Sequence, residues 1–173
     1  MTEPVWHLVF MGVSGSGKTT AAQAVNERLG WEFAEGDDFH SEESVAKMAA
    51  GHPLTDADRM PWLGRLATWT REHDRAGRPT LMSCSALRRI YRDVLRTGGE
   101  RTCFVHMVGD KGLLLERMSA REHFMPPSLL ESQLDTLEPL GEDEAGFTVD
   151  VAQSPEQIAE AILGRLDLLP GNP

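Results

Sequence analysis

Short apolar runs alternate with helix-spaced segments from one end of the chain to the other. Residues 5–11, VWHLVFM, are apolar without a strict polar alternation, as expected of a strand covered on both faces. A glycine-rich stretch follows, then TTAAQAVNERLG, a helix that Gly30 closes. WEFAEGDDFH predicts a short second strand running into an acidic turn. SEESVAKMAAG (41–51) predicts a short helix capped by Ser41 and stopped by Gly51. Over 56–77, Trp62, Leu63, Leu66, Trp69 and Thr70 fall at helical spacing.

The alternation continues. PTLMSCSA is the third strand, LRRIYRDVLRTGG a basic helix ended by paired glycines, and TCFVHMVG the fourth strand. DKGLLLERMSARE and SLLESQLDTLE read as helices, the second with Ser128 and Glu131 placed as a capping box. FTVDVA is the fifth strand, in which Asp150 is expected to cap a loop. The last helix opens on Ser154 as cap, Pro155 at its first position and Gln157 at the capping-box position. Such regularity predicts one α/β domain over residues 1–173, with a mostly parallel sheet and helices on both faces. Only 137–146 and the tail PGNP look loose.

Charge narrows the function. A formal net charge of −10 argues against nucleic acid as the partner, because phosphate backbones need a basic face. Within that acidic background stand 14 arginines against Lys18, Lys47 and Lys111. Arginine suits two-point recognition of phosphate and carboxylate, so its clusters carry information. Cys84 and Cys103 form no disulfide framework, and Cys103 with His106 lacks the second pair a metal site needs. The N-terminal apolar run is too short to span a bilayer and lacks a basic leader. A cytoplasmic protein without membrane contact is expected.

Gly12, Val13, Ser14, Gly15, Ser16, Gly17, Lys18 and Thr19 match the phosphate-loop pattern G-x-x-x-x-G-K-[ST], between a strand and a helix that starts near Thr20. Glycines let successive N–H groups point at phosphate oxygens, and the helix N-terminus adds partial positive charge. Lys18 is placed to reach the β- and γ-phosphates of ATP, and Thr19 to hold Mg²⁺. The loop specifies a nucleoside triphosphate and leaves its use open.

The residues expected opposite the loop address that use. No Asn-Lys-x-Asp motif for guanine occurs, and the third strand ends LMSCSA without an acid; the only apolar strand seen to carry one is FTVDV, far downstream. A switch GTPase or a motor ATPase is disfavoured. EGDDFH instead puts Asp37, Asp38 and His40 where ligand crevices of open parallel sheets lie. A carboxylate there can accept a hydroxyl proton and help hold Mg²⁺. Arg88 lies nearest the crevice, suited to a substrate carboxylate. Arg89, Arg92 and Arg96 follow along the helix, read as solvated or paired with Asp93 or Glu100. Arg117 and Arg121 share a helical face beside a proline-interrupted turn. From there they are candidates to close over a transferring phosphoryl group, with surface ion pairing as the equal alternative.

Taken together, MGVSGSGKT (11–19), GDDFH (36–40), KMAAGHPLTDADRMPWL (47–63), CSALRRIYRDVLR (84–96) and HFMPPSLLESQLDTLE (123–138) resemble the gluconokinases. These are small P-loop kinases that phosphorylate D-gluconate on its 6-hydroxyl. The resemblance implies ATP and Mg²⁺, a homodimer, a five-stranded parallel sheet and a mobile lid over about 117–140. It favours Asp37 over Asp38 as catalytic base and as a metal contact. It marks His40, Arg59, Arg88 and His123 as substrate contacts. Where many members carry glycine before His-Phe, this chain has Glu122. Two rivals share the loop: a kinase of shikimate or adenylylsulfate, and a nucleotide-gated binding protein without transfer.

Overall fold

The computed structural model describes residues 4–120 and 127–170. Five strands form one parallel sheet: β1 (Trp6–Met11), β2 (Glu32–Glu35), β3 (Thr80–Ser83), β4 (Arg101–Val108) and β5 (Gly146–Asp150). Their spatial order is 2-3-1-4-5, with β1 between β3 and β4. His7 pairs in register with Thr80 on one side and Thr102 on the other. The apolar runs earn these positions: Leu8, Phe10 and Met11 of β1 and Cys103, Phe104 and Val105 of β4 have no exposed surface. A strand covered on both faces cannot alternate with polar residues.

Among the described residues there are seven α-helices: α1 (Lys18–Leu29), α2 (Glu42–Ala49), α3 (Asp56–Arg75), α4 (Arg89–Arg96), α5 (Lys111–Ala120), α6 (Pro127–Thr136) and α7 (Pro155–Leu166). α1 carries the chain from β1 toward β2, whereas α4 carries it from β3 across to β4. Right-handed crossovers in opposite directions put these two helices on opposite faces. α1 packs on α7, and α3 on α4. The direction reverses at β1, so a crevice opens at its C-terminal end, where ligands of such sheets bind.

Most local signals translate directly. Gly30 closes α1 in the left-handed region at φ 65°, Ser41 caps α2, and Ser154 with Gln157 forms the capping box of α7. Asp150 accepts the Ala152 N–H and so caps the turn after β5. The expected box at Ser128 and Glu131 does not form. α6 already begins at Pro127, which leaves Ser128 inside the first turn, and Glu131 pairs with Lys111 at 2.9 Å.

Of the arginines of α4, Arg96 pairs with Asp93 as one expectation had it, whereas Arg92 pairs with neither Asp93 nor Glu100. Arg92 has no exposed side chain, and its Nε donates to Glu144, equally buried, at 2.8 Å. Arg96 bonds both Asp93 and Glu144. Arg92 further donates to the carbonyls of Ala86 and Pro139. The segment 137–146, loose by composition, is thereby pinned to the loop after β3. Burial alone would raise the Glu144 carboxyl, but hydrogen bonds from Arg92, the Gly141 N–H and Arg96 together hold it down at about 2.

Candidate active site

The phosphate loop leaves β1 and enters α1 through Gly17, which caps the helix at φ 83°. A Cβ on Gly15 (φ 82°) would come within 2.8 Å of the Leu114 carbonyl oxygen, so only glycine fits that tight approach to α5. Lys18 bends back over the loop, its Nζ donating to the carbonyls of Gly12 (3.0 Å) and Val13 (3.1 Å). The Thr19 hydroxyl donates to Glu35 at 2.5 Å, and the Ser83 hydroxyl donates to the other oxygen of that carboxylate, also at 2.5 Å.

Glu35 corrects the sequence reading, which found an acid only on the distant strand of Asp150. It is the last residue of β2, one strand from the loop's own β3 neighbour, and its carboxylate meets Thr19 directly. Its signal was present in Glu35-Gly36-Asp37: two carboxylates spaced two apart at a strand end. Among the described residues no group of three His, Cys, Asp or Glu gathers as a metal cage. Thr19, Glu35 and nearby Asp37 nevertheless form the sparse, hard-oxygen donor set that suits Mg²⁺, which keeps most of its waters and shares phosphate oxygens.

Gly36 lets the chain turn from Glu35 to Asp37 where no side chain fits. A Cβ there would lie 2.1 Å from the Ser83 carbonyl oxygen. Gly36–Phe39 then forms one 3-10 turn. α3 holds that turn from behind. Trp62, only 2% exposed, donates its indole N–H to the Gly36 carbonyl at 2.7 Å. The Arg65 guanidinium grips the Phe39 carbonyl at 2.9 and 2.7 Å. The His40 ring stacks on Trp62, with centroids 4.0 Å apart, and its Nε2 lies 3.7 Å from Asp37. Trp62 is thus both core and the support of the acid turn, and helical spacing alone does not reveal what lies across from it.

These elements enclose a cavity that joins both halves of the candidate site. Ser14 and Lys18 of the loop face Asp37, His40 and Arg59 across it, and α6 contributes Leu129, Ser132 and Gln133 as a wall. Burial, then the charges of Arg59 and Arg65, lower the His40 pKa to about 4, so the ring is neutral at pH 7. Its Nδ1 is buried without a hydrogen-bond partner among the described residues. Arg59 donates to the Tyr91 hydroxyl at 2.9 Å, and Tyr91 in turn donates to Asp56. Asp38 is exposed and does not line the cavity.

The remaining candidates lie elsewhere. Arg88 stands at the start of α4, paired with Asp56 (2.9 Å) and Glu138 (3.5 Å), and is not among the lining residues. Arg117 lines a second pocket behind the loop, with Gly15, Gly17, Thr20, Gln153 and Ile158, and donates to the Val151 carbonyl at 2.6 Å. It thus sits across the loop from the acceptor-side residues. Arg121, Glu122 and His123 lie outside the described residues.

A parallel sheet ordered 2-3-1-4-5, with a phosphate loop after its central strand and a carboxylate facing it, is the framework of a P-loop small-molecule kinase. The chain matches the AAA domain family over residues 8–140. It is 48% identical to a gluconokinase of Gluconobacter oxydans, with 90% of this chain and 88% of that one covered. A crystallised sugar kinase from Janibacter superposes with a TM-score of 0.92 at 54% identity, covering 96% and 97% of the two chains. A Sinorhizobium meliloti gluconokinase gives 0.82 at 43%, covering 96% and 95%. The chain belongs to the gluconokinase family. Among the described residues no helix is long and apolar enough to cross a membrane.

Proposed function

We propose that the protein transfers the γ-phosphoryl of ATP to the 6-hydroxyl of D-gluconate, giving 6-phosphogluconate and ADP. The observation that carries this reading is the shared cavity: phosphate-loop residues Ser14 and Lys18 on one side, Asp37, His40 and Arg59 on the other. In-line transfer needs little beyond positioning and charge stabilisation, and those are the tasks these residues suit. Lys18 and the loop amides would neutralise charge on the phosphoryl oxygens. Asp37 would orient the attacking hydroxyl and take its proton. Arg59, aimed by Tyr91 and Asp56, is the cation available to an acceptor carboxylate, and neutral His40 suits a polyol hydroxyl.

Mg²⁺ bound with ATP would supply Lewis-acid stabilisation of the phosphate oxygens. Thr19, with Glu35 and Asp37 behind it, would hold it. Arg117 lies beside the loop's outer face, which favours a nucleotide contact for it over closure across the acceptor. Arg88 would act at the cavity rim. Arg121 and His123 stay candidates from the family pattern, as does closure of a lid over about 117–140. A homodimer in the cytoplasm is the expected setting; sedimentation at twice the 19.1 kDa chain mass would bear on the first.

The deciding experiment is ADP release with Mg²⁺–ATP against a panel of gluconate, other sugar acids, shikimate and adenylylsulfate. Gluconate-dependent release is expected. Release driven by shikimate or adenylylsulfate would reassign the acceptor, and none with any acceptor would indicate a binding protein.

A further inference from the structure

Gln133 makes a contact that neither half of the site requires. Its Oε1 accepts the backbone N–H of Ser14 at 2.7 Å, across 119 residues of chain. Ser14 is a phosphate-loop residue, and Gln133 is on α6, the wall of the acceptor side. Two neighbours hold α6 firmly: Leu129 is 4% exposed and Leu130 not at all. Leu129 lies one turn before Gln133, so both side chains share a helix face. The contact therefore joins the phosphate loop to a helix whose Leu130 is packed in the core.

The chemistry of the side chain fits its place. A glutamine amide presents an acceptor and two donors in one plane. The acceptor is taken by Ser14, whereas the NH₂ group has no hydrogen-bond partner among the described residues. Both are at the cavity that Lys18 and Asp37 also line. A neutral donor at that point can meet a phosphoryl oxygen or an acceptor hydroxyl; a carboxylate there would oppose the phosphate.

We propose that Gln133 is a positioning residue that couples the acceptor wall to the phosphate loop, directing the phosphoryl group to the acceptor hydroxyl rather than to water. This rests on the kinase reading above. By holding the Ser14 amide while its NH₂ faces the cavity, Gln133 registers loop and acceptor against each other. Loss of that register costs transfer more than nucleotide binding, because near-attack geometry is sensitive to about 1 Å.

The test compares wild type with Gln133→Met and Gln133→Glu. Gluconate-dependent turnover, both KM values and acceptor-independent ADP release are measured, with Tm as a fold control. For Gln133→Met, kcat for transfer should fall about tenfold or more with KM for ATP within about threefold. The ratio of acceptor-independent to acceptor-dependent ADP release should rise about tenfold, a readout that a purely structural role would not move. Unchanged kcat and ratio in a folded Gln133→Met variant would overturn the proposal. Should that variant not fold, Gln133→Glu keeps an oxygen for Ser14 and is read by the same ratio, with the same two outcomes. If wild type itself uses no acceptor, the kinase reading has failed instead. Gln133 is then judged on basal hydrolysis: a rise of about threefold supports the coupling and an unchanged rate overturns it.

Discussion

The two sides of the cavity are built to face anions, but by opposite means. The phosphate side is one contiguous stretch, Gly12 to Thr19, in which backbone amides and a helix end stand beside one cationic side chain, Lys18. The acceptor side is assembled from three separated elements: the turn bearing Asp37 and His40, α3 with Arg59 and Trp62, and α6 with Gln133. Backbone recognition needs only that the chain can adopt the curve, so it is written locally in glycines. Side-chain recognition needs packing partners from far along the chain, such as Trp62 under Gly36. Nucleotide use is therefore a property of a motif, whereas acceptor choice is a property of the fold.

That contrast can be broken most forcefully at Lys18. Lys18→Met should lower kcat/KM for ATP by about 10³-fold, since a preorganised cation on the phosphoryl oxygens is lost. Folding, followed by circular dichroism, should be intact. A variant retaining near wild-type turnover would remove the loop from the chemistry.

Asp37→Asn should cost about 10²-fold in kcat, the range of a general base, while the affinity for nucleotide stays near wild type. Should ATP binding be lost instead, Asp37 belongs to the metal and the division between the two sides is misdrawn.

Trp62→Phe keeps the ring beneath His40 but removes the donor to the Gly36 carbonyl. KM for gluconate should rise severalfold and stability should fall by about 1 kcal/mol, with KM for ATP unaffected. Equal rises in both KM values would show that the turn serves the nucleotide as well.

The smallest effect is on pH dependence. Burial, aided by Arg59 and Arg65 for His40 and by Arg92 for His106, lowers both pKa values from 6.5 to about 4. Between those values the unfolded chain takes up protons that the folded chain refuses. Stability is thus full above about pH 6.5 and declines as pH falls toward 4. The urea midpoint should be lower at pH 5 than at pH 7.5, and the drop should shrink in His40→Asn. A midpoint independent of pH over that range would contradict the burial of these rings.

Much of this was legible in advance. The five strands, the caps at Ser41 and Ser154, and the phosphate loop all depend on neighbours a few residues apart, and each appears where its pattern put it. The residue pattern points to Asp37 and His40, the family resemblance adds Arg59, and all three line a cavity that Lys18 also lines. Glu35 was overlooked because a glutamate ending a short, half-exposed strand looks like surface until Thr19 and Ser83 are set beside it. Pairing was one reading of Arg92, but its partner was not legible, because helical spacing shows which residues share a face, not that Glu144 will be buried against one of them.

The sequence by itself determined the elements, their parallel order of succession and the presence of a triphosphate-binding loop, because hydrophobic period, capping and glycine conformation act over a few residues. Only the tertiary structure decided which side chains meet. It set Glu35 against Thr19, Trp62 under the acid turn, Arg117 behind the loop and Gln133 onto the Ser14 amide. Those contacts join residues separated by up to 119 positions, and no local free energy encodes them until the sheet has brought their elements together.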